Sequence, residues 1–170
     1  MQSAGVTQAP ARISTVSSRR ALFWGPAIVV VALDQLSKAL VRGLLQRGEG
    51  WPHDWTVQIR YVTNTGAAFG ILHDQTIFLT LMALIGLGAI YMYYRYPPFN
   101  HWLAPVAIGM MLGGAAGNLI DRVRLGRVTD FIDFPHYPAF NVADSSITVG
   151  IAILLLGLMY LSPRSKHESH

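Results

Sequence analysis

The sequence contains no cysteine. That excludes a disulfide framework, a thiol nucleophile and a thiolate metal site, so any chemistry must come from carboxylates, hydroxyls, amides, His, Lys or Arg. Charge is scarce as well. Asp, Glu, Lys and Arg make up 13% of the 170 residues, about half the share usual in soluble domains, whereas 52% are hydrophobic. There is no Gly-x-Ser-x-Gly elbow and no histidine pair at metal-binding spacing. Despite a formal net charge of +4, no long basic run interleaved with aromatics suggests nucleic acid. What is present is apolar sequence gathered into four segments of spanning length, separated by short polar or aromatic stretches, the signature of a membrane protein.

Periodicity places helix 1 at about Ala21 to Leu45, helix 2 at about Gln75 to Tyr94, helix 3 at about His101 to Arg122 and helix 4 at about Asp144 to Leu161. Residues 1–20 are rich in Ser, Ala and Gln and end in Ser17-Ser18-Arg19-Arg20, before an apolar run with no small-residue cleavage site. This reads as a disordered tail and an uncleaved first span. Four spans put both termini on one side. Arg12, Arg19, Arg20, Arg95, Arg164 and Lys166 on that side balance Arg42, Arg47, Arg60, Arg122, Arg124 and Arg127 on the other. The count is a tie, although the Arg19-Arg20 pair beside the first span favours a cytoplasmic N-terminus.

Between helices 1 and 2, Trp55, Val57, Ile59 and Tyr61 alternate with Thr56, Gln58 and Arg60, which is strand periodicity. Asn64-Thr65-Gly66 is a turn signal, after which Ala67 to Ile71 reads as a second short strand. With Trp51 and Trp55 nearby, a small sheet here suits the headgroup zone. Tyr94-Arg95-Tyr96-Pro97-Pro98 reads instead as a tight turn, so function is expected on the face opposite the termini.

Ionisable groups inside a span cost several kcal/mol unless they are paired or face a polar cavity. Three places qualify. Asp34 and Lys38 stand one turn apart and read as a structural ion pair. Gly113-Gly114-Ala115-Ala116-Gly117 permits close helix approach, with Asn118 and Arg122 sharing one face beyond it; packing and snorkelling of Arg122 account for the glycines but not for Asn118. In the third place, Asn141 reads as a helix cap with Asp144 at the third position. Length argues for more. From Ile147 to Leu161 a helix measures only about 22 Å at 1.5 Å per residue, short of the roughly 30 Å hydrocarbon core, so Asp144 is drawn to the edge of the apolar slab. Chemistry at Asp144 requires a second carboxylate, one acting as base on a water while the other acts as acid. Asp121, Asp130 and Asp133 are all candidates. Asp130 has the more apolar setting, whereas Asp133 beside Pro135 reads as a loop carboxylate.

At these residues the sequence resembles the lipoprotein signal peptidases (signal peptidase II) of bacteria. Five blocks appear in order: Asp34-Gln-Leu-Ser-Lys38, Asn64-Thr-Gly-Ala-Ala-Phe69, Gly113-Gly-Ala-Ala-Gly-Asn118-Leu-Ile-Asp121-Arg122, Val128-Thr-Asp130-Phe131 and Phe140-Asn141-Val-Ala-Asp144-Ser145. The resemblance implies an aspartic endopeptidase of the inner membrane, active near the periplasmic face, that cuts prolipoproteins before the diacylglyceryl-modified cysteine. It implies Asp130 and Asp144 as the catalytic pair, with Asn64, Gly66, Gly114, Asn118, Arg122 and Asn141 in support and Asp34, Lys38 and Asp121 as structural motif residues. The implied fold is mainly α, with four transmembrane helices over 21–162, a small periplasmic β-cradle over 46–73, a short interfacial helix and cytoplasmic tails at 1–20 and 163–170. No metal or organic cofactor follows. The implied partners are lipidated prolipoproteins, membrane lipid and globomycin-type inhibitors. The rival reading, a small ion or proton transporter, uses the same intramembrane carboxylates but calls for inverted repeats or broken helices that the sequence does not show.

Overall fold

The computed structural model describes residues 16–53, 55–65, 76–96 and 101–161. Among these residues four helices and four strands follow in the order α1 (Val16–Leu44), β1 (Gly50–Trp51), β2 (Gln58–Asn64), α2 (Thr76–Arg95), α3 (Leu103–Leu125), β3 (Val128–Phe134), β4 (Tyr137–Phe140) and α4 (Val142–Leu161). The helices lie where hydrophobic periodicity expects them, except that α1 starts five residues early, so that Val16 to Arg20, expected as the end of a disordered tail, form its first turn and more, and α3 ends three residues late. Gly66, the expected strand at Ala67 to Ile71, the Pro97-Pro98 turn and the tail at 163–170 lie outside the described residues.

α3 is the hub. Glycines at four-residue spacing let α1 lie against it: a Cβ on Gly113 would stand 2.6 Å from the Ala27 carbonyl oxygen, and one on Gly109 would collide with that of Phe23. Gly114 meets the Ala143 carbonyl of α4 in the same way, and α4 returns the contact through Gly150, whose Cβ would lie 2.8 Å from the Ala107 oxygen. The order of these contacts makes α1 and α3 parallel and α4 antiparallel to both. The first turn of α1 and the last of α4 therefore sit at one end, and the sheet sits at the other. At the terminal end Phe23 stacks on Tyr94 with ring centroids 3.9 Å apart, and Arg19 donates to the Tyr94 carbonyl at 2.9 Å. Phe23, Ala104, Ala107, Ile108 and Leu154 form the apolar core there.

Polarity is inverted relative to a soluble protein. Asp34, Lys38, Asn118, Asp121, Thr129, Asp130 and Asn141 are buried, whereas Ile28, Leu36, Leu40, Ile85, Leu155 and Leu156 are each more than half exposed. Such a surface belongs in hydrocarbon rather than in water. Among the described residues, Leu103–Leu125 and Val142–Tyr160 are long and apolar enough to cross a membrane by length and composition.

The sheet is wholly antiparallel in the order β1-β2-β3-β4. β2 was legible but lies further along than the alternation suggests, and Trp51 and Trp55 beside it are both exposed. β3 and β4 were not foreseen. Val128 to Phe131 is buried on both faces, so it lacks the alternation that marks a half-buried strand. Asp133 is accordingly no loop carboxylate: it lies in β3 opposite Gln58 and pairs with Arg60 at 3.1 Å. Gly126 makes the turn into β3. It adopts φ 67°, a left-handed conformation that glycine enters without steric cost, and its N–H caps α3 on the Arg122 carbonyl at 3.0 Å.

Candidate active site

β3 presents two faces with separate tasks. Thr129 and Phe131 point toward α1, where Arg42 donates to the Thr129 hydroxyl at 2.9 Å and Phe131 joins Leu40, Val41, Leu44, Trp51 and Ile59 around an apolar groove. Val128 and Asp130 point the other way, into a cavity of about 260 Å³ that Asn64, Asn118, Arg122, Phe140 and Asp144 also line. The cavity lies at the seam between the sheet and the ends of α3 and α4.

Both aspartates in this cavity have every carboxylate oxygen engaged by an N–H. Asp130 accepts from the Asn141 amide at 2.7 Å on one oxygen and from the Asn64 amide at 3.1 Å on the other. Asp144 accepts from the Asn118 amide at 2.7 Å and from the Asn141 backbone N–H at 3.2 Å. Asn141 thus binds both. Its side-chain oxygen also accepts the Asp144 backbone N–H at 3.0 Å, closing a reciprocal capping box at the start of α4. The expected cap is therefore real, and it is built from the same two residues that meet in the cavity.

Asp130 is 3% exposed. Burial pushes its carboxyl up from 3.8 to about 6, and the neighbouring charge of Asp144 pushes the same way, against the donors Asn64 and Asn141 and the charge of Lys38. Such a value leaves the group able to hold or release a proton near neutrality. Arg122 lies within electrostatic reach of Asp144, Asp130 and Asp121.

The other candidates separate cleanly. Asp133 is taken up by Arg60, and Asp121 accepts the Thr129 backbone N–H at 2.9 Å while lying 3.7 Å from both Lys38 and Arg42. Asp34 and Lys38 pair at 2.9 Å, wholly buried, as the spacing predicts. Gly114 serves the α3–α4 contact. Sequence reasoning passed over Gln35, whose amide reaches Asp34, Asp121 and the Gly117 carbonyl at 3.1 to 3.3 Å, and Thr129, whose carbonyl accepts from Asn141 at 3.3 Å. Gln35 carries a signal in hindsight: Asp34, Gln35, Lys38 and Arg42 follow the one-turn spacing of a single helix face. Among the described residues no group of three His, Cys, Asp or Glu side chains is placed to hold a metal ion.

Comparison with known proteins matches residues 26–160 to the family described as Signal peptidase (SPase) II. A lipoprotein signal peptidase of Symbiobacterium thermophilum is 43% identical over 78% of this chain and 91% of its own length. Another, from Acaryochloris marina, is 39% identical over 89% of this chain and 96% of its own. A solved bacterial membrane enzyme structure, obtained by the in meso method at 2.3 Å resolution, superposes with a TM-score of 0.77 at 29% identity, covering 96% of this chain and 99% of that one. The arrangement of carboxylates, amides and buried ion pairs at the end of an apolar helix bundle is therefore set in a chain that belongs to the signal peptidase II family.

Proposed function

We propose that Asp130 and Asp144 are the catalytic pair with which this membrane peptidase removes signal peptides from prolipoproteins. The observation that carries the reading is the convergence of two carboxylates, from different elements, in one cavity where Asn64, Asn118 and Asn141 fix the direction of every oxygen. Asp144 opposes the ionisation of Asp130, and carboxylates coupled in this way favour one shared proton. The ionised carboxylate takes a proton from a water as its oxygen attacks the scissile carbonyl. The protonated carboxyl donates to the carbonyl oxygen, giving a tetrahedral gem-diol with no covalent link to the enzyme. Its collapse breaks the C–N bond and returns a proton to the departing amine.

All four helices cross the inner membrane in this reading, with both termini cytoplasmic and the sheet as a periplasmic cradle within one peptidase domain over 21–162. The diacylglyceryl group of the substrate stays in the bilayer against the apolar helix faces, while the peptide bond before the modified cysteine reaches the cavity at the interface. Gly66 and Arg122 support the substrate backbone, and globomycin-type inhibitors compete for the same space. The transport alternative finds no support among the relatives.

The test is cleavage of a diacylglyceryl-modified prolipoprotein by purified protein in detergent. Wild type cleaves before the lipidated cysteine, and Asp130→Asn and Asp144→Asn fall to background while remaining folded. A folded variant that retains the wild-type rate sinks the assignment of the pair, and a wild type that cuts only unmodified precursor sinks the substrate.

A further inference from the structure

Lys38 is wholly buried, and an ammonium in that position needs acceptors on every side. It has three, from two helices: Asp34 at 2.9 Å, the Asn118 side-chain oxygen at 2.9 Å and Asp121 at 3.7 Å. The two carboxylates do more than neutralise it. Asp34 turns its other oxygen to the backbone N–H of Ala143 at 3.0 Å, and Asp121 accepts that of Thr129 at 2.9 Å. Ala143 immediately precedes Asp144, and Thr129 immediately precedes Asp130.

The third contact is equally directed. Lys38 has only protons to offer, so Asn118 must turn its oxygen to it, and the amide nitrogen of Asn118 is then aimed at Asp144. A staple between α1 and α3 alone would not require this alignment, since replacing a buried ion pair by apolar side chains often leaves stability unchanged.

We propose that Lys38 is a positioning residue for the peptidase reaction: its ammonium, through Asp34 and Asp121, fixes the backbone on which each catalytic aspartate stands, and through Asn118 it orients the donor to Asp144. This inference rests on Asp130 and Asp144 being the catalytic pair. The charged groups facing Asp130 are Asp144 from α4, Arg122 from α3 and Lys38 from α1, so loss of the Lys38 charge leaves Asp130 harder to ionise.

The test compares wild type, Lys38→Met and the charge-balanced double variant Lys38→Met with Asp34→Asn in the detergent assay, with Asp130→Asn as the inactive control. Both Lys38 variants are expected to lose about 100-fold in kcat, the usual consequence of a misplacement near 1 Å, with KM within about twofold of wild type. In both, the acid limb of the pH profile moves upward. A folded variant with wild-type kcat and an unmoved acid limb overturns the proposal, and so does a loss carried by KM alone. If neither variant is recovered folded, hydrogen exchange of the wild type decides: slow exchange at both Thr129 and Ala143 supports the clamp, and fast exchange at either refutes it. Failure of the wild type to cleave would count instead against the catalytic reading.

Discussion

Asp130→Asn should abolish cleavage and, above neutral pH, make the protein more stable. The carboxyl sits near 6 in the folded state against 3.8 without its surroundings, so the folded state holds the proton more tightly than the unfolded one. Stability then falls as pH rises, from about 4 until the penalty is complete above about 6. At about 1.4 kcal/mol per pKa unit the full penalty is about 3 kcal/mol. Asn carries no charge and escapes it, but its amide nitrogen faces the Asn64 amide, where two donors meet at a cost of about 1 kcal/mol. The variant is therefore expected to be about 2 kcal/mol more stable than wild type at pH 7.5 and about 1 kcal/mol less stable at pH 4. For a chain of this length the gain at pH 7.5 raises Tm by about 4–8 °C. Thermal melts in one detergent across pH 4 to 8 read this directly. If Asp130→Asn and wild type show parallel Tm-against-pH curves, the buried charge at Asp130 does not carry the stored cost.

Two further outcomes follow from the geometry. Gly117→Ala places a Cβ 2.5 Å from the Asp34 carboxylate oxygen and should displace the group that holds Ala143, costing about 2–3 kcal/mol in a melt and most of the activity; Gly86→Ala meets nothing within 4 Å and should leave both within error. Asn64→Ala removes a donor that both favours the ionised form of Asp130 and orients one of its oxygens, so the acid limb of the activity profile should move to higher pH and the rate on the plateau should fall.

Much of this was legible because membrane sequence is written in contrasts. Apolar runs revealed the helices, and Asp34, Asn118 and Asp144 stood out against them as costly exceptions. The spacing of Asp34 and Lys38 on one helix face sufficed to predict their pairing. The choice of Asp130 over Asp121 and Asp133 did not follow from spacing, because it depends on which face of β3 Asp130 and Asp133 occupy and on the cations that Asp121 and Asp133 meet across the fold. β3 itself was hidden: a strand packed on both faces has the hydrophobicity of a short helix or a loop core. Nor does local pattern show that Asn141, as a helix cap, would also donate to a carboxylate eleven residues back across a strand pair.

The two faces of β3 make chain length between α3 and the cavity a functional quantity. Side chains alternate strictly along a strand, so inserting or deleting one residue in the Gly126-Arg127 turn, with the strand re-pairing in place, would turn Asp130 out of the cavity toward α1 and turn Thr129 into it. Neither member of the proposed pair would be missing from such a protein, and its composition would be almost unchanged. It would nonetheless be inert, because parity along seven residues of strand carries as much of the enzyme's information as the identity of the aspartate.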